Sequence, residues 1–268
     1  MLKQRVITAL IAAPTIIAAI FLLPLGAFAA VFLVLAGFGV LEWANLADIR
    51  SNAAKGVYLV VYALIGYALL NAPALWPTVL KCVVAFWALA AVVVLTFPAS
   101  GQVLVRPVLI PAGYVAFVGA WLALVALLVA GGPWLILWVL IVVWSADIGA
   151  YFAGRQFGKR KLASMVSPGK TWEGAIGGTV LSGVLGSTLG TTVPALQTLT
   201  PDLWQWVVGS LVIAIVSVFG DLFESALKRA RGVKDSGGLF PGHGGMLDRV
   251  DSLIAALPCV ALAVTGQP

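Results

Sequence analysis

The sequence predicts an all-α, polytopic integral membrane protein, a bundle of about nine transmembrane helices with its N-terminus in the cytoplasm. Three observations carry that prediction. Of 268 residues, 62% are hydrophobic and 10% charged, against roughly a quarter charged in a soluble domain. The mean hydropathy is +1.08. Apolar runs of membrane-crossing length, about 20 residues each, recur along the whole chain. So few charged side chains cannot clothe so much apolar surface in water, which excludes a soluble enzyme, a disordered chain and a fibrous protein.

The candidate spans are 6–23, 27–47, 57–72, 79–97, 107–130, 133–152, 172–192, 204–230 and 252–266. The first follows Lys3 and Arg5 as a signal peptide would. No clear cleavage site follows it and further apolar runs do, so it is read as a retained span. The third and ninth are short. Pro and Gly punctuate the breaks: Pro24 with Gly26, Pro73 with Pro77, Pro98 with Gly101, and Gly131-Gly132-Pro133. The seventh span repeats a small residue every four positions, at Gly174, Gly178, Ser182, Gly186 and Gly190. That ladder lets helices approach closely, either as plain packing or as a dimer contact or sliding surface. Cys82 and Cys259 lie in apolar runs with no C-x-x-C, which argues against a disulfide framework or a zinc site.

Orientation follows from the basic residues. With the N-terminus inside and nine crossings, all of the 16 Lys and Arg except Lys81 fall on the cytoplasmic side, as the positive-inside rule requires. The net charge of +6 is therefore read as loops facing an anionic leaflet, with no nucleic-acid partner. Charge is uneven along the chain. Residues 1–130 are read as N-terminal membrane scaffold, and 131–268 as a catalytic membrane region with cytoplasmic loops 153–171 and 231–251.

Asp221 stands about nine residues, roughly 13 Å, from the cytoplasmic end of the eighth span. A lone carboxylate at such depth costs about 2.5–3.5 kcal/mol, more than the ~1 kcal/mol that a surface ion pair returns. A polar cavity or bound cation has to offset it. Ser217, Asp221, Glu224, Ser225 and Lys228 share its helical face. Glu224 with Lys228 also reads as a structural i, i+4 pair. Asp147 shares a face with Tyr151 near the end of the sixth span.

The loop 153–171 carries Lys159-Arg160-Lys161 and then Ser167-Pro168-Gly169-Lys170-Thr171. Glycines allow close approach to an anion and the cations neutralise it. A Walker A reading fails, because position 164 is Ser and no strand precedes it. The densest signal is 225–251: Ser225, Lys228, Arg229, Lys234, Asp235, the glycines around His243, then Asp248, Arg249 and Asp251. Asp248 and Asp251 face one way if a helix starts there, and with Asp221 they make a candidate carboxylate cluster for a hard cation. Few carboxylates plus many Lys and Arg donors suit Mg²⁺ with a nucleoside triphosphate. His243, the one histidine, is either a hydrogen-bonded structural residue or a phosphate contact.

This run resembles the signature of the phosphatidate cytidylyltransferases: S-x-apolar-K-R, four residues, K-D, a small residue two on, later H-G-G, and D-R-apolar-D. Ser225, Lys228, Arg229, Lys234, Asp235, Gly237, His243, Gly244, Gly245, Asp248, Arg249 and Asp251 match in register. The upstream Ser167–Gly174 stretch is similar too, whereas the N-terminal half matches in hydropathy alone. The resemblance implies that CTP and phosphatidic acid give CDP-diacylglycerol and pyrophosphate with Mg²⁺, a second cation being left open. It also implies a multi-pass enzyme of the cell (inner or plasma) membrane with its site facing the cytoplasm, and a homodimer. Carried over, Asp221, Asp248 and Asp251 bind metal. Lys228, Arg229, Lys234 and Arg249 contact phosphates, and Asp147, Ser167 and Lys170 complete the nucleotide site, with Ser225, Asp235, His243, Gly244 and Gly245 beside it. Two rivals remain: a CTP-dependent lipid kinase, which would place the γ-phosphate on lipid, and a transporter, which would move solute without nucleotide turnover.

Overall fold

The computed structural model describes residues 2–200, 202–239 and 244–265, with side chains from Leu10 onward. Helices α1 (Leu2–Leu22), α2 (Leu25–Leu46), α3 (Asn52–Leu70) and α4 (Trp76–Leu95) precede the long α5 (Arg106–Phe157). Two short strands follow, β1 (Lys161–Ala163) and β2 (Ser167–Thr171), then α6 (Trp172–Thr192), the single turn α7 (Pro194–Gln197), α8 (Leu203–Ala230) and α9 (Leu247–Thr265). Among the described residues five segments are long and apolar enough to cross a membrane: α2, α3, Pro73–Leu95, α5 and α8. The chain is thus a multi-pass helical membrane protein.

Local chemistry sets the boundaries. Ser51 Oγ accepts from Ala54 N at 3.0 Å and starts α3. Thr171 Oγ1 accepts from Gly174 N at 3.2 Å and starts α6, each satisfying a first-turn amide that the helix leaves free. Within α5 the backbone breaks at Gly132, with φ 67° and ψ −170°. Only glycine takes that conformation cheaply, and Pro133 beside it has no N–H to continue the ladder. The break falls at the sequence-read boundary between scaffold and catalytic region.

The second half of α5 packs against α6 and α9, and α8 closes the group. The small-residue ladder of α6 is buried inside this one chain. A Cβ on Gly149 would come within 2.9 Å of Gly178 Cα, so the α5 and α6 backbones touch there. Ser182 Oγ donates to Val142 O at 2.8 Å, and Trp138 Nε1 donates to Gly186 O at 2.8 Å. In the N-terminal half, Trp43 Nε1 donates to Leu109 O and Trp121 Nε1 to Ala29 O, both at 2.8 Å. With no water in hydrocarbon, a buried indole N–H is best satisfied by such a protein acceptor; Trp87 Nε1 is buried without one among the described residues.

Two sequence-read loops are corrected. Residues 153–171 are not one loop. Helix α5 runs on to Phe157, and β1 pairs antiparallel with β2, Lys161 opposite Thr171 and Ala163 opposite Ser167. The Glu173 carboxylate draws this segment in, accepting from Lys159 N at 3.0 Å and Arg160 N at 3.2 Å. Strands of three and five residues are too short to carry an alternation to read. The second loop ends at 246, because α9 begins at Leu247 and takes Asp248 and Asp251 into its first turns. Carboxylates favour that positive helix end, so charge there is compatible with helix.

Candidate active site

Helix α8 presents Asp221, Glu224, Ser225 and Lys228 along one side, and two lysine–carboxylate centres form on it. In the first, Lys228 Nζ donates to Glu224 Oε2 at 2.9 Å and to Asp248 Oδ1 at 2.6 Å. Asp248 is fully engaged. Its Oδ2 accepts from Gly245 N at 2.7 Å, Ser236 N at 3.1 Å and Ser236 Oγ at 3.0 Å. The interhelical bond from Lys228 to Asp248 and the loop amides around it hold the start of α9 against the end of α8.

A residue from the opposite half of the sequence completes this centre. Glu42, buried near the end of α2, accepts from Met246 N at 2.9 Å and Leu247 N at 2.8 Å, amides at the start of α9. Ser236 Oγ lies 3.1 Å from Glu42 Oε2, so one hydroxyl proton serves either Glu42 or Asp248. A side chain at Gly237 or Gly245 would run into the Glu42 carboxylate. These two glycines of the signature are therefore small to admit an acid from α2.

In the second centre, Lys170 at the end of β2 ion-pairs with Asp221. Ser225 Oγ donates to Asp221 Oδ1 at 3.4 Å. Asp147 from α5 and Asp251 from α9 lie close enough for their charges to act on that of Asp221. Asp251 Oδ1 accepts from Ser252 N at 2.7 Å, and Gly220 lets α8 press against the Asp251 carbonyl. Between the two centres, Glu224 Oε1 is buried with no hydrogen-bond partner among the described residues.

The structure thus gathers Asp147, Lys170, Asp221, Ser225, Lys228, Gly245, Asp248 and Asp251. It places others at the margin. Arg229 Nε donates to Val166 O at 3.3 Å and so braces the hairpin. Lys234 and Asp235 are exposed on the 231–246 loop. Ser167 opens β2, Gly244 turns the backbone at φ 79°, and Arg249 sits on the exposed side of α9. His243 lies outside the described residues.

Sequence reasoning missed two residues. Glu42 was a solitary acid inside an apolar span, and that cost alone was a signal. Arg231, where α8 ends, has Nε and Nη2 buried without a partner among the described residues. In the sequence it was one more cation of a basic loop.

Among the described residues no three His, Cys, Asp or Glu side chains are gathered as a set that could hold a metal ion. Asp248 has both oxygens committed to Lys228, Ser236 and Gly245, so the three-aspartate cluster is not formed as one group. The donor chemistry still fits a hard divalent ion at Asp221 and Asp251. Both are oxygen donors, the charges of Asp147 and Asp251 each act on that of Asp221, and the ion pair supplies only the single charge of Lys170. Magnesium takes one or two protein carboxylates and completes its shell with water and phosphate.

Comparison with known proteins places the chain in a family. The sequence model of the Cytidylyltransferase family matches residues 3–265. A phosphatidate cytidylyltransferase of Pseudomonas aeruginosa is 43% identical over 266 residues, 97% of this chain and 96% of the relative. One of Haemophilus influenzae is 36% identical over 280 residues, 96% of each chain. One of Brucella suis is 48% identical over 135 residues, 50% of this chain and 48% of the relative. Two relatives matched along nearly their whole length leave one conclusion: this chain belongs to the cytidylyltransferase family.

Proposed function

We propose that the protein transfers CMP from CTP to phosphatidic acid, giving CDP-diacylglycerol and pyrophosphate for phospholipid synthesis, at the cluster formed by Lys170, Asp221, Asp147 and Asp251. Full-length membership of the family carries this reading, and the polar cluster inside an otherwise apolar bundle supplies the place.

The residues suit the chemistry. A phosphate oxygen of the lipid attacks the α-phosphorus of CTP, and the bond from that phosphorus to the bridging oxygen breaks, releasing pyrophosphate. A phosphomonoester has its second pKa at about 6, so the nucleophile is already ionised and no strong general base is needed. What the protein must supply is position and positive charge, as in other phosphoryl transfers. Lys170 reaches the reacting phosphates from the hairpin. Arg231, Lys234 and Arg249 surround the triphosphate from the end of α8, the loop and α9, and Ser167 and the Gly244-Gly245 backbone line its path. Lys228 stays locked between Glu224 and Asp248, and Ser225 steadies Asp221. In this reading Asp248 is the anchor of Lys228, while Asp221 and Asp251, with Asp147 beside them, hold Mg²⁺. The ion supplies charge neutralisation on the triphosphate and on departing pyrophosphate.

The proposal includes nine crossings, counting the two halves of α5 separately, with the hairpin and the 231–246 loop in the cytoplasm. The positive-inside bias supports that orientation, and a cysteine placed at position 234 should be labelled from the cytoplasmic side alone. The cell membrane and a homodimer are expected from the resemblance, and native mass spectrometry reads the latter.

The deciding experiment incubates purified protein with phosphatidic acid, Mg²⁺ and CTP labelled at the α or γ phosphate. Label from the α position should enter lipid and label from the γ position should leave as pyrophosphate. The reverse pattern would make the protein a lipid kinase, and no turnover with solute flux in vesicles would make it a transporter.

A further inference from the structure

Against the hairpin turn lies a cavity of about 610 Å³ that the reaction scheme above does not use. The end of α4, the β1–β2 turn, α6 and α8 wall it, with Leu95, Val166, Ala175, Thr179, Phe219 and Leu222 among its lining. Its flanks Ile176, Val180 and Ile215 are exposed, so it opens sideways on a face that is apolar and meets lipid. At the hairpin end it adjoins a smaller hollow of about 390 Å³ lined by Arg160, Lys161, Trp172 and Ile176. Trp172 and Ile176 belong to both.

We propose that this groove seats an acyl chain of the phosphatidic acid substrate, with the lipid's anionic head at the Arg160–Lys161 end. The inference rests on the cytidylyltransferase reading and adds to it the element that fixes the lipid's position and acyl length.

Three observations point to this occupant. With Arg160 paired to Glu173 at 3.5 Å and Lys161 beside it, one end of the groove keeps a net positive charge while its length is apolar, the polarity of an anionic lipid. The half-exposed Trp172 stands where the two hollows meet, and tryptophan prefers headgroup depth. The C-terminus of α4, the N-terminus of α6 and the C-terminus of α8 all lie at the hairpin end, so a chain entering beside Arg160 runs into the same leaflet that α6 and α8 cross. The hairpin that walls the groove also carries Lys170 to Asp221, and Leu222 of the lining is the neighbour of Asp221 on α8. A lipid seated there has its phosphate beside the element that delivers Lys170.

Moving an acyl chain from bilayer to groove brings no hydrophobic gain, since both surroundings are apolar. The groove therefore selects by shape, and filling it should discriminate between chains. The test uses the full-length protein in mixed micelles with dihexanoyl and dioleoyl phosphatidic acid, comparing wild type with Ala175→Phe and Thr179→Phe. The expected result is a fall of about tenfold or more in kcat/KM for the dioleoyl substrate, the scale of a steric misfit in an apolar pocket. The dihexanoyl substrate and the KM for CTP should stay within about twofold of wild type on the same scale.

Equal losses on both substrates, or none on either, would overturn the assignment. If wild type converts neither lipid, the cytidylyltransferase reading itself fails, which is a different outcome. Should both variants misfold, wild type with a photoreactive acyl chain on phosphatidic acid decides. Crosslinks to residues 94–97, 162–166 and 175–180 that exceed those of a zwitterionic probe support the seat. Equal labelling by both probes means bulk lipid, and crosslinks elsewhere, or a second copy of the chain attached there, exclude it.

Discussion

The two lysines that pair with carboxylates of α8 sit in opposite circumstances. Lys228 is enclosed, bonded to Glu224 and Asp248, with the loop amides and Glu42 satisfying what remains around it. Lys170 is half-buried where β2 leads into α6 and pairs with Asp221, on which the charges of Asp147 and Asp251 also act. A committed network fixes where helices begin and meet; an uncommitted one has charge left for ligands. Residue type does not separate the two roles, since both are a lysine beside aspartates. What separates them is how many partners the fold has already assigned.

The strongest test breaks the enclosed side. Lys228→Met leaves two buried carboxylates without their cation, and removing one partner of a buried pair costs about 3–5 kcal/mol. The unfolding midpoint in detergent should fall by several degrees and turnover should vanish with it. If stability is untouched, Lys228 is not the clasp described. On the open side, Asp221→Asn should do the reverse: turnover down by about 10²–10³-fold, the scale for losing one preorganised charge contact, with the unfolding midpoint nearly unchanged. Near-normal turnover in folded protein would remove Asp221 from the reaction.

A smaller effect is expected at the acid from α2. Glu42→Ala strands the Met246 and Leu247 amides at about 1–3 kcal/mol and should lower kcat more than it raises the KM for CTP. Combined with Asp248→Asn, its loss should be non-additive by about 0.5–3 kcal/mol, as for residues in one network. Strict additivity would show that Ser236 does not couple them. Least of all should follow from Asp48→Asn. Arg50 holds that part-exposed carboxyl below its ordinary range through a hydrogen bond at 2.8 Å, and neither Lys170 nor Lys228 pairs with it. Turnover and midpoint should both match wild type.

Much of the site was legible because its chemistry is unusual for its surroundings. Asp221 and Asp147 stand out in apolar helices, and the 225–251 run has a spacing that few sequences share. The hairpin was not legible: its strands are three and five residues long and pinned by Glu173 from outside. The division of labour between Asp248 and Asp251 was not legible either. They stand three residues apart on one helix, yet Asp248 turns to Lys228 and Asp251 toward Asp221, a choice made by which elements pack on each flank. Glu42 shows the same limit from the other end. Its cost in an apolar span was visible, but its partners lie some two hundred residues away.

By itself the sequence determined the solvent, the helical class and the region that carries charge, because burying backbone and charge in hydrocarbon restricts the chain to helices that hide or pair their polar groups. The tertiary structure decided which carboxylate each lysine holds, that an acid from α2 caps α9, and that an apolar groove with one basic end lies beside the hairpin. Those depend on contacts between segments far apart in the chain, and no local pattern encodes the angle or depth at which two helices meet.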